Sequence, residues 1–208
     1  MNPNTTRGLL ITLDGPGGAG KSTLAHAITT QLARAGIPAE HTTQPSPGPI
    51  GALARRGTHQ FHGYTLACLV AADRYHHLDT LIRPALAAGT TIVCDRYTAS
   101  SLVFQALDGV EQSFITHLNQ HADPPDLAVF LTCHDTELRR RLTVRGSHGR
   151  FEDDPDITAK ETLNYHAVSA LYAARGIRVL ELDSTTSTPQ SLASRVVAVA
   201  LALTSAPS

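Results

Sequence analysis

Residues 8–23 read GLLITLDGPGGAGKST, an apolar run that halts at an acid and passes into glycines, a lysine and two hydroxyls. The apolar half predicts a strand, and the residues from Lys21 onward predict a helix. Gly15, Gly20, Lys21 and Ser22 satisfy the spacing G-x-x-x-x-G-K-[ST] in the turn between them. Glycines let the backbone curl until its N–H groups point inward, and the positive end of the helix dipole adds to that potential. Gly15, Pro16, Gly17, Gly18, Ala19, Gly20, Lys21, Ser22 and Thr23 are therefore expected to cradle the phosphates of a nucleotide. Lys21 would reach the β and γ oxygens, and the Ser22 hydroxyl would ligate Mg²⁺. A ligand-free glycine-rich turn is the competing reading, and the agreement of motif with flanking elements speaks against it. The acceptor stays open, because ATPases, GTPases, and nucleoside and nucleotide kinases share this loop.

Working outward, strand-like apolar runs recur at 9–13, 91–94, 127–132 and 177–182, with a weaker one at 39–43. Segments with helical periodicity lie between them, at 21–35, 61–87 with a break near Pro84, 100–107, 112–120, 136–144, 157–174 and 189–203. This alternation predicts a three-layer α/β P-loop fold, with a five-stranded parallel sheet flanked by helices. The stretch QPSPGPIG at 44–51 reads as a loop leaving the carboxyl end of a strand, where open α/β sheets hold their ligands.

The length, 208 residues, fits one domain spanning 1–208, and 17 basic against 18 acidic side chains leave a formal charge of −1. No overall positive field recruits nucleic acid or an anionic membrane, so basic chemistry must be local. The start, MNPNTTRG, lacks the apolar segment of a signal peptide, and no apolar stretch approaches a spanning helix. Cys68, Cys94 and Cys133 are odd in number and widely spaced, as expected of buried, reduced thiols in a cytoplasmic protein. His76 and His77 are expected on a partly exposed helix face. His117 and His121 lack a third ligand for zinc.

Two further segments carry chemistry. In TTIVCDRYTASSLVFQ, at 90–105, Asp95 follows an apolar strand directly and stands where a Mg²⁺ shell needs a carboxylate. Arg96 beside it can pair with phosphate in a bidentate geometry that lysine cannot reproduce. In ELRRRLTVRGSHGRFEDD, at 137–154, Arg141 and Arg145 share a helix face, and a Gly-Ser-His-Gly interruption precedes Arg150. An arginine-bearing lid at about 145–155 would suit phosphoryl transfer, where charge must be neutralised and water excluded once both substrates are bound. A solvated basic helix end or a nucleic-acid patch is the alternative, and Glu152, Asp153 and Asp154 weaken the second of these.

In this order and spacing the chain resembles the thymidylate kinase family of P-loop nucleoside monophosphate kinases. The segments that carry the likeness are the phosphate loop, QPSPGPIG, AADR with IRPALAAG, DRYTASSLVFQ, RGSHGRFE and the closing strand with its DST turn. The resemblance implies ATP- and Mg²⁺-dependent transfer to a pyrimidine nucleoside monophosphate, dTMP by default. It implies that Lys21 and Arg96 bridge the donor and acceptor phosphates, with Arg141 on the ATP side and Arg145 and Arg150 supplying catalytic charge. Acceptor contacts would come from Arg55, Val70, Arg74, Ser100, Ser101, Phe104, Gln105 and Tyr165. A homodimer through apolar helix surface at 66–70 is implied as well. Four departures fall on the acceptor side: Val70 for a stacking phenylalanine, Phe104 for a frequent tyrosine, Thr43-Gln44 for Arg-Glu, and Gly17 for a loop acid. They leave room for a paralogue that takes a modified or ribo-pyrimidine monophosphate. A nucleoside kinase would want a carboxylate base where Gln44 stands. A P-loop ATPase or switch protein is the reading from another class.

Overall fold

The computed structural model describes residues 7–146 and 155–204, apart from the side chains of 145 and 155–159. Its strands are β1 Leu10–Asp14, β2 Ala39–Thr43, β3 Thr91–Asp95, β4 Leu127–Thr132 and β5 Val179–Asp183. All neighbours pair in parallel, in the order β2-β3-β1-β4-β5. Every residue of β1 and β3 is buried, as expected of inner parallel strands covered on both faces. Strand β2 lies at an edge and exposes Glu40 and His41, the physical reason its sequence signal is weak.

The helices are α1 Lys21–Arg34, α2 Pro49–Arg56, α3 Gly63–His77, α4 Arg83–Ala87, α5 Thr98–Leu107, α6 Gln112–Leu118, α7 Asp135–Arg145, α8 Pro155–Ala174 and α9 Pro189–Thr204. The strands' period of two divides the core. Ile11, Leu13, Val129 and Leu131 pack with Leu24, Ile28 and Leu32 of α1 and with Leu192 and Val196 of α9. From the opposite face, Ala128 and Phe130 meet Val103 of α5 and Tyr165, Val168 and Tyr172 of α8. Leu10, Ile92 and Cys94 meet Leu78, Ile82 and Tyr97 on that side.

Three expectations are corrected. The stretch at 44–51 is not all loop, because Gly48 caps α2 in an extended conformation and Pro49 opens the helix. A proline at the first helical position gives up an N–H that would have had no partner there anyway. Gly51 lets α2 lie on the preceding loop, since a Cβ there would overlap the Ser46 carbonyl. The long helix starts at Gly63 rather than 61, and its irregularity lies ahead of Pro84, in a π-helical turn at Leu78–Ile82. A widened turn removes the clash between a proline ring and the carbonyl one turn back. Finally, Cys68 is exposed while Cys94 and Cys133 are buried; all three are free. In the stretch 66–70, Leu66 and Ala67 belong to the interior.

Candidate active site

The strand order reverses on either side of β1, so the loops at the carboxyl ends of β1 and β3 flank a crevice. There the phosphate loop turns through left-handed glycines at Gly15, Gly18 and Gly20 and delivers the chain into α1. Gly15, Pro16, Gly17 and Ala19 are buried at the back of the loop. Lys21 is only 6% exposed, and its Nζ donates to the carbonyls of Gly15 at 2.8 Å and Pro16 at 2.7 Å. Burial, with the Arg96 charge beside it, pushes its ammonium down to about 8.

Ser22 Oγ donates to Asp95 Oδ2 at 2.5 Å, joining the helix start to the end of β3. The other carboxylate oxygen, Oδ1, is buried and has no hydrogen-bond partner among the described residues. A hydroxyl and a carboxylate with a free oxygen are the hard donors Mg²⁺ prefers, so the residues present fit that ion. Arg96, the next residue, takes φ 71, a left-handed conformation that costs a side-chain-bearing residue about 1–3 kcal/mol. Its N–H bonds Leu13 O at 2.8 Å, and its Nη1 donates to Gly15 O at 3.2 Å and Tyr165 Oη at 3.0 Å. The guanidinium also stacks 4.9 Å from the Phe104 ring. Burial opposes its charge, but Tyr165, Glu161, Asp95 and Asp14 outweigh that and hold Arg96 above the usual guanidinium value.

Asp14 closes β1 and ties down the start of α5, its Oδ1 accepting from Tyr97 N at 3.2 Å, Ser100 N at 3.0 Å and Ser100 Oγ at 2.6 Å. Burial pushes its carboxyl upward. The Ser100 hydroxyl thus serves Asp14 and lies 2.8 Å from Tyr165 Oη. Tyr165 itself is 3% exposed and lies behind Arg96, outside the cleft lining.

The end of the cleft where acceptor contacts are expected is built on Arg74, which is 1% exposed. Its Nε donates to Gln44 Oε1 at 2.8 Å, and its Nη2 donates to Ser101 Oγ at 2.9 Å and Tyr97 O at 3.3 Å. Nη1 donates to Asn119 Oδ1, and the Tyr97 ring lies 5.5 Å below the guanidinium. Gln44, one of the departures, is thereby a structural partner of Arg74, and its Nε2 is 3.4 Å from His77 Nδ1. His77 is not on an exposed face: it is 4% exposed, with Nε2 3.0 Å from Thr42 Oγ1, and burial lowers its pKa. His76 is exposed.

A single cleft of about 540 Å³ joins the two sides. It runs from Gly18, Gly20, Lys21, Ser22 and Thr23 past Asp95 and Arg96 to a wall formed by Leu66, Val70 and Phe104. Arg55, whose Nη2 donates to Pro45 O, stands at its rim, and Ser100, Ser101 and Gln105 line its depth. Gln105 Oε1 is a buried acceptor with no partner among the described residues. Arg141 lines the other end, where Nη2 donates to Ser184 O at 2.8 Å and Nη1 to Ser184 Oγ at 3.3 Å. A smaller cavity of about 190 Å³ adjoins it between Thr23, Arg141, Ser187 and Pro189. Arg145 ends α7 with its side chain outside the described residues, and Arg150, with most of the expected lid, lies outside them too.

Sequence reasoning missed Gln44 and Asn119 as partners of Arg74, Ser184 of the DST turn as a partner of Arg141, and Glu161. Glu161 is 2% exposed on α8 and accepts from Gly17 N at 3.5 Å, and nothing local in the sequence sets it apart from other helical acids.

A parallel sheet in this order, with the glycine loop closing the end of its central strand onto a helix start, has the architecture of the P-loop kinases. The family model for thymidylate kinase matches residues 13–193, and the chain belongs to that family of nucleoside monophosphate kinases. It is 31% identical over 174 residues to a probable thymidylate kinase of Pyrococcus horikoshii, covering 80% of this chain and 85% of the relative. It is 35% identical over 159 residues to a thymidylate kinase of Xanthomonas oryzae pv. oryzae, covering 75% and 70%. A probable thymidylate kinase of Thermococcus kodakarensis is 31% identical over 176 residues, covering 79% and 85%.

Proposed function

We propose that this chain transfers the γ-phosphoryl group of ATP to a pyrimidine nucleoside monophosphate, dTMP giving dTDP and ADP. The observation that carries this reading is a continuous cleft, with phosphate-binding groups at one end and, at the other, an apolar-walled pocket holding an acceptor, Gln105 Oε1, that is unpartnered among the described residues. The loop amides and Lys21 would hold the β and γ phosphates, and Arg96, between the two ends, would meet the acceptor phosphate. An acceptor phosphate oxygen is already ionised at neutral pH, so attack on the γ-phosphorus needs no general base. The bond to the β,γ-bridging oxygen breaks and ADP leaves. Mg²⁺ held through Ser22 and Asp95 would supply charge neutralisation on the phosphates. Positioning and electrostatics carry the rate. Arg141 would border the ATP base at the smaller cavity, and the lid arginines Arg145 and Arg150 would add positive charge.

At the acceptor end, Gln105 Oε1 can accept a hydrogen bond from the N3–H of thymine or uracil, and Leu66 and Val70 offer apolar contact to a 5-substituent. Phe104 brings no hydroxyl to exclude a ribose 2′-OH, which keeps modified or ribo-pyrimidine monophosphates as the second reading. A homodimer and a cytoplasmic setting belong to the same proposal. Family membership supports the dimer, as do the exposed apolar side chains Leu53 of α2, at 46%, and Tyr64 of α3, at 49%. Phosphate and ADP release from ATP, with and without dTMP, tests the reaction. The kinase reading expects ADP formation that depends on dTMP, and steady acceptor-free hydrolysis would favour an ATPase or switch.

A further inference from the structure

Helix α8 carries two buried groups one turn apart that both reach the active site from behind. Tyr165, 3% exposed, accepts from Arg96 Nη1 at 3.0 Å. Glu161, 2% exposed, accepts a long hydrogen bond of 3.5 Å from the N–H of Gly17 in the phosphate loop. A carboxylate buried this deeply needs positive charge near it. Lys21 and Arg96, two of the cations that line the cleft, are groups whose charge Glu161 favours.

The loop residue that meets Glu161 is a glycine for no conformational reason. The left-handed positions of the loop are Gly15, Gly18 and Gly20, and Gly17 is not among them. Since the Gly17 nitrogen is already 3.5 Å from the Glu161 carboxylate, an acidic side chain at 17 would lie within contact range of it. Two buried carboxylates in contact cannot both ionise without a large penalty. Asp14 and Asp95 already act on the same cations. Glycine at 17 and glutamate at 161 are thus two halves of one arrangement.

Resting on the kinase reading above, we propose that Glu161 is a positioning residue for the transfer. From α8 it holds the loop at Gly17 and, with Tyr165, sets Arg96 toward the acceptor phosphate, and its presence makes an acid at position 17 incompatible with the site. The helix that follows the lid segment in the chain is in this way tied to the acceptor end of the cleft.

The test is a cycle of four proteins: wild type, Glu161→Gln, Gly17→Asp and the double variant. Each is measured for kcat and KM with dTMP and with ATP, and for thermal unfolding. Glu161→Gln lowers kcat/KM for dTMP about tenfold or more, with KM for ATP changing less than about threefold. Gly17→Asp alone also lowers it, and the double variant recovers to within about threefold of wild type. A gain in dTMP use from Gly17→Asp alone, a double variant no better than the poorer single, or equal effects on ATP and dTMP would overturn the proposal. Where Glu161→Gln does not fold, Gly17→Asp alone decides, by loss or gain of dTMP turnover. If wild type phosphorylates no nucleoside monophosphate, the kinase reading fails by itself. The melting temperatures then still decide the pairing: the Gly17→Asp loss relieved by Glu161→Gln supports it, and additive losses refute it.

Discussion

Replacing Arg74 by lysine tests whether the acceptor pocket is built on a rigid polar frame. The guanidinium is 1% exposed and makes four hydrogen bonds, to Gln44, Asn119, Ser101 and the Tyr97 carbonyl, above the Tyr97 ring. Burial lowers its pKa from the usual guanidinium value, so the site tolerates this cation only while its N–H groups are well bonded. Lysine keeps the charge but cannot reproduce a planar fork, and two of the four acceptors would be left without a donor. Each unsatisfied buried group costs about 1–3 kcal/mol, and the lost ring contact adds about 0.5–1 kcal/mol. A total of about 2.5–7 kcal/mol lowers the melting temperature by about 5 °C or more in a domain of this size. Calorimetry gives the stability and steady-state kinetics the KM for dTMP, which should rise because Gln44 and Ser101 line the same cleft. A melting temperature within about 2 °C of wild type would refute the buried frame.

Three other perturbations read other parts of the site. Val70→Phe puts a ring on the cleft wall, and a base stack of about 1–3 kcal/mol should raise kcat/KM for dTMP by roughly fivefold or more; no change means the base lies elsewhere. Lys21 sits at about 8 through burial and the nearby Arg96 charge, so the free enzyme loses that charge as pH rises. The kcat/KM for ATP should therefore decline through an alkaline limb near pH 8, and a flat profile to about pH 9.5 would contradict it. Gly51→Ala should destabilise by about 1–3 kcal/mol, since its Cβ would overlap the Ser46 carbonyl, and unchanged thermal unfolding would show that α2 can shift freely.

What the sequence reveals depends on how local the information is. Gly15, Gly20, Lys21 and Ser22 announce the loop because the curl and the helix start are encoded within ten residues, and buried β1 and β3 announce themselves as unbroken apolar runs. Strand β2 is faint because its edge position permits exposed Glu40 and His41. Helix α2 is hidden by Pro45, Pro47 and Pro49, which read as breakers although the last one opens the helix. The partners of Arg74 are 30 and 45 residues away at Gln44 and Asn119, so no spacing rule connects them. Gln44 looked like a lost carboxylate and proves to be the bridge between Arg74 and His77. The contact of Glu161 with Gly17 spans 144 residues, and only the packing of α8 against the loop brings them together.

The most direct test of the central claim is ADP release by the purified chain with Mg·ATP and a panel of nucleoside monophosphates, including dTMP, dUMP, UMP, dCMP and dGMP. The account predicts turnover that requires the acceptor, is greatest among thymine and uracil nucleotides, and disappears in Lys21→Met while the fold and melting curve persist. Turnover of purine monophosphates above dTMP, or undiminished transfer by Lys21→Met, would contradict it.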